Sequence, residues 1–269
     1  MLRRDFLGLR YGDSLLVPKS PTDPLPPGVV RAAEAICEEA SFSRSPFWAA
    51  ALPARIIEPS VAQHVATQKR HGPKIGSIVD PFRERIIRFE SGLEEKVIYC
   101  LIASPWVREI REQQRIVYRH GLQRETVYVD LLVDWTNGTR SVLEVKYERD
   151  VEKSGVRQRL VELEACVGDA VADRWVLVTE LTFSDTNIAN AKEVHRCGTV
   201  LDIEGQSLVR RFLSLCEGAV TFGDVKRVLG ERGYRAAVAL IQAGVVDVPD
   251  GHRIGLDCEI ICHPARQSA

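Results

Sequence analysis

The sequence predicts an α/β protein whose mixed sheet is followed by a small helical domain. Two apolar runs, residues 126–135 and 141–147, are joined by an Asn-Gly turn that favours a type I′ hairpin. A helical segment at 151–172 then leads to a buried run at 175–179. Because a helical crossover returns a strand parallel to its neighbour, we expect a sheet with antiparallel and parallel pairs. Beyond about residue 181, short helices predominate.

Before the sheet, the sequence indicates a connector and two helices. Prolines crowd residues 18–27, and a short helix is predicted over Pro27–Ala40. Apolar residues at helical spacing predict a second helix over 81–103, or a shorter one with Ser91 as its N-cap. A short strand is expected at 116–118.

Beyond the sheet, four helices and a hairpin are predicted, with Thr221 as an N-cap. The helices cover residues 187–196, 206–217, 221–229 and 232–243, and the hairpin pairs 245–248 with 253–256. The last three helices and the hairpin have the outline of a winged helix. The expected organisation is an N-terminal arm of residues 1–75, a sheet domain of residues 76–180 and a winged-helix-like domain of residues 181–269.

The composition is that of a globular protein, since 45% of the 269 residues are hydrophobic and 27% are charged. No apolar run in the sequence approaches the roughly 20 residues that span a membrane, and the N-terminus lacks a secretory h-region. We therefore expect a cytoplasmic protein with no membrane partner. The seven scattered cysteines fit free thiols, and the alternative is a zinc half-site at Cys258, Cys262 and His263.

A net charge of −1 neither favours nor excludes a nucleic-acid partner. A local cluster of arginines lies in the first part of the predicted sheet, at Arg108, Arg111, Arg115, Arg119 and Arg124. Glutamates are interleaved with these arginines. The cluster is therefore consistent with a face that contacts phosphate and with a solvated face of mixed charge.

Charged residues lie inside the apolar runs of the predicted hairpin. Asp130 is on one strand, and Glu144 and Lys146 share a face of the next. Burying such charges is costly unless they are paired or bind a metal. Asp130 and Glu144 can share a hard cation such as Mg²⁺ beside Lys146, which predicts a site for phosphodiester cleavage. The alternative is that all three are ordinary charges on an exposed sheet face.

The helix that precedes the strands offers a third acid. Glu94 and Glu95 lie in its first turn, and either of them, if it points at the sheet, would complete a metal site. Compensation of the helix dipole is the other explanation for acids at this position. The sequence leaves open which glutamate faces inward.

Four segments in this order resemble the TnsA family, the endonuclease subunits of heteromeric cut-and-paste transposases: residues 91–94, 110–113, 129–133 and 143–146. The likeness covers residues 75–180 and implies a restriction-endonuclease-like αβββαβ core of the PD-(D/E)xK superfamily. It implies that Mg²⁺, or Mn²⁺ in its place, is held by the acids Glu94, Asp130 and Glu144. It also implies that Lys146 is the catalytic lysine and that Gln113 contacts DNA or supports the structure. Val129 stands where the superfamily usually has a proline.

The resemblance also implies a function and partners. TnsA-like subunits cut DNA at the 5′ ends of the transposon, beside an integrase-type transposase that cuts the 3′ ends, and they dock to it and to an AAA+ ATPase regulator. Two alternatives stay open, a restriction- or repair-type nuclease of the same fold and a catalytically idle DNA-binding adaptor. The C-terminal domain could bind DNA or dock a protein, and the few basic residues of its third helix, Arg232 and Arg235, favour docking.

Overall fold

The computed structural model describes residues 24–40, 55–64 and 74–263. The chain divides into two compact units, one formed by Ile56–Ile188 and the other by Met1–Arg55 together with Ala189–Ala269. This grouping differs from the expected arm of residues 1–75. The helix predicted within that arm belongs to the unit that contains Ala189–Ala269, whereas residues 56–64 belong to the unit that contains the sheet.

The first unit is mixed α/β, as predicted. Its elements in chain order are β1 (Gly76–Asp80), β2 (Arg85–Phe89), α2 (Gly92–Ala103), β3 (Val107–His120), β4 (Gln123–Trp135), β5 (Arg140–Val145), α3 (Glu148–Ser154), α4 (Val156–Val167) and β6 (Arg174–Val178). The main sheet has the order β3-β4-β5-β6. β4 is antiparallel to β3 and β5, whereas β5 and β6 are parallel, which confirms the expected crossover.

The single helix predicted over 81–103 is wrong, and the shorter alternative is confirmed. β1 and β2 form an antiparallel hairpin, in which buried and more exposed residues alternate. The Ser91 side chain then accepts a hydrogen bond from the Glu94 N–H at 3.0 Å and caps α2. The apolar residues of β2 have spacings that suit a helix or a strand, so the pattern alone misassigned them.

Three further expectations need correction in the same unit. The strand predicted at 116–118 is the middle of the longer β3. The β4–β5 turn is not type I′, because Gly138 has a φ of 87° but Asn137 is not among the described residues with positive φ. The helix predicted over 151–172 breaks at Gly155, whose φ of 63° suits glycine, into α3 and α4.

The second unit is mainly helical. It contains α1 (Pro27–Ala40), most of α5 (Asp185–Gly198), α6 (Ile203–Leu215), α7 (Phe222–Ala239), β7 (Val246–Asp247) and β8 (Ile261–Cys262). The helix predicted at the N-terminus is confirmed as α1, which packs against α6. The predicted cap at Thr221 is also confirmed, with Asp224 completing a capping box.

One prediction for this unit is confirmed and another is wrong. The helices expected at 221–229 and 232–243 are the two halves of α7, which are separated by a kink at the non-helical residue Gly230. The expected hairpin partner at 253–256 is not the strand that pairs with β7. Instead, β7 is antiparallel to β8, which is farther along the chain. None of the described helices is both long and apolar enough to cross a membrane.

Apolar packing fixes the part of the sheet that carries the candidate site. Leu131, Val133 and Leu143 are at most 1% exposed, so β4 and β5 are held firmly where they pair. Residues of α3 and α4 pack against Trp175 and Leu177 of β6. Core packing therefore positions the strands that carry the candidate site.

Candidate active site

Glu94 is the inward-facing acid of α2. It is 6% exposed, and its Oε2 accepts a hydrogen bond from the Glu90 N–H at 2.9 Å. Glu95 points elsewhere and forms an ion pair with Lys74 at 2.6 Å. The sequence left these two acids undecided, and the burial of Glu94 selects it as the acid that faces the sheet.

Asp130 lies where β4 and β5 separate. The regular pairing of these strands ends at Leu131 and Leu143. Beyond that point the Asp130 carboxylate replaces the backbone of β4, because its Oδ2 accepts a hydrogen bond from the Val145 N–H at 2.8 Å.

Glu144 is 5% exposed and is only half satisfied. Its Oε2 accepts a hydrogen bond from Nη2 of Arg159 at 2.7 Å, whereas its Oε1 is buried with no hydrogen-bond partner among the described residues. An unsatisfied buried oxygen on a carboxylate is costly. It is the kind of atom that a bound cation would satisfy.

The three acids influence one another electrostatically. Burial, followed by the charge of Asp130, raises the pKa of Glu94 to about 7. The same two causes raise the pKa of Glu144 to about 7, against the opposing charge of Arg159. Burial raises the pKa of Asp130 as well, despite its hydrogen bonds from Val145 and Gln113. Strongly perturbed carboxyl groups that cluster in this way are typical of functional sites.

Lys146 and Gln113 complete the surroundings of Asp130. The charge of Lys146, an exposed residue directly after β5, partly opposes the rise in the pKa of both Asp130 and Glu144, which places its ammonium near them. Gln113 is on the neighbouring strand β3, and its Nε2 donates to Asp130 Oδ1 at 3.4 Å. Gln113 has a φ of 49°, unusual for a residue with a side chain, and such strain is often found at functional sites.

All five predicted site residues therefore lie in one region of the first unit, and their donor set suits a hard divalent cation. Carboxylate oxygens are the ligands that Mg²⁺ and Mn²⁺ prefer, and Glu144 Oε1 lacks a partner among the described residues. In the part of the chain that is described, however, no three acidic, histidine or cysteine side chains converge on a common metal position. Binding one ion through all three acids therefore requires side-chain movement.

Arg159 is the residue that the sequence did not reveal. It projects from α4, and its side chain is 46% exposed, so in the sequence it resembles any arginine on the polar face of a helix. Only the fold brings it to Glu144. The sequence offered one indication of its role, which is that the helix carrying Arg159 follows the strand carrying Glu144.

Comparison with known proteins adds no identification. No protein-family model matches the chain, and no curated protein matches it either. The likeness to the TnsA family therefore rests on the residues quoted above.

Proposed function

We propose that this chain is a divalent-metal-dependent DNA endonuclease with a restriction-endonuclease-like core. The observation that carries the proposal is the gathering of Glu94, Asp130 and Glu144 at the point where β4 and β5 separate, where burial raises all three pKa values and the charge of Asp130 further raises those of Glu94 and Glu144. Neighbouring acids in such surroundings are unfavourable in their charged forms in the absence of a cation. A structural role alone would favour paired or neutral groups at these positions.

The residues of the site have separate roles in this proposal. Glu94, Asp130 and Glu144 would hold Mg²⁺, which when bound supplies a hydroxide at neutral pH and stabilises charge on a phosphate. Lys146 contributes a positive charge at the exposed side, where it opposes the charge that develops on the phosphodiester. Gln113 orients the Asp130 carboxylate through its amide N–H.

The finer proposal is that the chain is a TnsA-like subunit of a heteromeric transposase that cuts transposon ends at the 5′ ends of the element. Its partners would then be an integrase-type transposase and an AAA+ ATPase regulator. The three helices and the small sheet of the second unit support a winged-helix-like domain. Most basic residues of α7 are neutralised, since Lys226, Arg227 and Arg232 form ion pairs with acids. That neutralisation favours protein docking over DNA reading for this domain.

A catalytically idle adaptor is the second candidate, and one observation favours it. Arg159 occupies one oxygen of Glu144, as it would in a protein that had lost its need for metal. The intact set of Asp130, Glu144 and Lys146 favours the nuclease. A restriction- or repair-type nuclease would use the same site, and its partners would distinguish it.

The decisive experiment follows the nicking of supercoiled plasmid DNA in Mn²⁺, with and without partner transposase subunits. We expect Asp130→Ala and Lys146→Ala to reduce the cleavage rate by about 1000-fold, because the metal and the opposing charge each contribute several kcal/mol. Glu95→Ala is the matched control, since Glu95 adjoins Glu94 but pairs with Lys74. Wild-type rates in the Asp130 and Lys146 variants would contradict the assignment, and an inactive wild type would favour the adaptor.

A further inference from the structure

The hairpin of β3 and β4 extends well beyond the rest of the main sheet. β5 pairs with β4 only from Leu131 to Asp134, whereas β3 and β4 stay paired as far as His120 and Gln123. Residues 115–128 therefore form a two-stranded ribbon, called the β3–β4 ribbon below. A ribbon of this kind presents two faces with different surroundings.

One face of the β3–β4 ribbon is packed and the other is open. Ile116 and Val127, opposite each other, pack into the hydrophobic core, and the next pair is closed by a hydrogen bond from Tyr118 to Glu125 at 2.7 Å. The opposite face consists of the cross-strand pairs Arg115 with Tyr128, Val117 with Thr126 and Arg119 with Arg124. All but Val117 are exposed or nearly so, and this set is called the arginine face.

The structure separates the arginine cluster of the sequence into two groups. Arg108 and Arg111 form ion pairs with Asp134. By contrast, Arg115, Arg119 and Arg124 have no acidic partner in the described part of the chain. Arg119 and Arg124 even lie directly opposite each other, an arrangement of like charges that destabilises a ladder. This pair of like charges does not stabilise the fold. A bound anionic ligand would neutralise both guanidinium groups and so account for their position.

The arginine face leads directly to the candidate site. Two residues beyond Arg115 and Tyr128 on their strands come Gln113 and Asp130, which are hydrogen bonded to each other. Tyr128 also contacts the His64 ring, with centroids 5.1 Å apart. His64 in turn pairs at 3.2 Å with Glu90, whose N–H donates to Glu94. The arginine face and the candidate site are therefore adjacent within the first unit.

We propose that the arginine face binds the phosphate backbone of duplex DNA beside the scissile bond, a proposal that rests on the nuclease function proposed above. From Asp130 to Arg124 the strand spans about 20 Å at its usual rise. That length matches about six base pairs of duplex, so the three arginines can follow one stretch of backbone. A protein partner fits less well, because Leu122 at the tip is an isolated apolar residue and not part of an apolar patch.

The test measures binding without cleavage. A fluorescein-labelled 30-base-pair duplex of mixed sequence is titrated with the full chain in EDTA, at several salt concentrations. The triple variant Arg115→Gln, Arg119→Gln and Arg124→Gln is compared with a control that loses the same charge, Lys153→Gln, Arg157→Gln and Arg174→Gln. The control residues are exposed on the first unit but away from the arginine face. Circular dichroism checks that both variants fold.

We expect the ribbon variant to bind at least tenfold more weakly near 0.1 M salt, and its salt dependence to become shallower by two to three units of slope, at about 0.9 for each lost phosphate contact. The control should retain wild-type binding and slope. Equal loss in both variants, unchanged binding in the ribbon variant or a wild type that does not bind the duplex would overturn the proposal. A wild type that binds through the ribbon but never cuts would leave this proposal standing and remove the nuclease function alone.

Discussion

Asp130 and Asp134 lie on the same strand, β4, and their surroundings are electrostatically opposite. Asp134 is 5% exposed and accepts hydrogen bonds from Arg111 at 2.7 Å and Arg140 at 2.6 Å. Burial alone would raise the pKa of Asp134, but the Arg140 hydrogen bond and the nearby guanidinium charges outweigh it and lower the pKa. Asp130 instead lies beside Glu94 and Glu144, and burial raises its pKa despite its hydrogen bonds and the charges of Arg159 and Lys146.

The difference is one of counter-charge. The fold supplies Asp134 with its counter-charges, so that carboxylate is already stabilised. Around Asp130, Glu94 and Glu144, the fold supplies repulsion, one arginine and, among the described residues, an oxygen of Glu144 with no hydrogen-bond partner. This contrast is the reason that we propose a bound cation for the Asp130 region and a structural role for Asp134.

The largest expected contrast is in stability. Asp134→Ala should lower the free energy of unfolding by about 3 kcal/mol, because it leaves partly buried arginines without their acid. Asp130→Ala should change it by less than about 1 kcal/mol, since loss of the Val145 hydrogen bond is offset by relief of repulsion. Urea denaturation of both variants in EDTA measures the difference. A greater loss in the Asp130 variant would contradict the comparison.

The second contrast is in pH dependence. Glu94 and Glu144 have a folded pKa of about 7 against an ordinary 4.5, so between these values the folded chain binds more protons than the unfolded chain. Their contribution is fully present below pH 4.5 and is lost as the pH rises through 7. Asp134 has the opposite effect on stability because its pKa is lowered. Its contribution is present above pH 3.8 and is lost as the pH falls below that value.

Denaturation in EDTA at pH 5, 6, 7 and 8 tests this sign. The double variant Glu94→Gln and Glu144→Gln should lose less stability over the range than the wild type. The same decline in both proteins would show that other groups cause it. Glu95→Gln serves as the control, because its carboxylate is paired with Lys74.

The smallest expected effect concerns Arg159. Its guanidinium competes with a metal ion for Glu144, so Arg159→Ala should bind Mn²⁺ about fivefold more tightly at pH 8, which corresponds to about 1 kcal/mol for a partly exposed pair. Arg157→Ala is the matched control on the same helix, because Arg157 pairs with Glu148 and Glu152. Calorimetric titration gives both affinities. Weaker binding in the Arg159 variant would show that the arginine supports the site and does not compete for it.

The sequence predicted the central part of the fold because local signals and burial agree there. The apolar runs of β4 and β5, the turn between them and the crossover to β6 could all be derived from residue patterns, and so could the positions of Asp130 and Glu144. β1 and β2 could not, because their apolar residues also fit a helix.

The other features that the sequence did not predict depend on contacts between residues distant in sequence. The partner of β7 lies beyond the segment that carried the turn signal. The selection of Glu94 over Glu95 depends on how α2 packs on the sheet, and the role of Arg159 depends on how α4 crosses β5. The division of the arginine cluster required the cross-strand register of β3 and β4. None of these contacts leaves a local pattern in the sequence.

The most direct test of the central claim is calorimetric titration of Mn²⁺ into three proteins at pH 8 without DNA: the wild type, Asp130→Asn and Asp134→Asn. If the Asp130 region is a metal site, the wild type binds Mn²⁺, Asp134→Asn binds it with similar affinity and Asp130→Asn loses at least about tenfold in affinity. The same affinity in the wild type and Asp130→Asn, or no binding by the wild type, would contradict the claim.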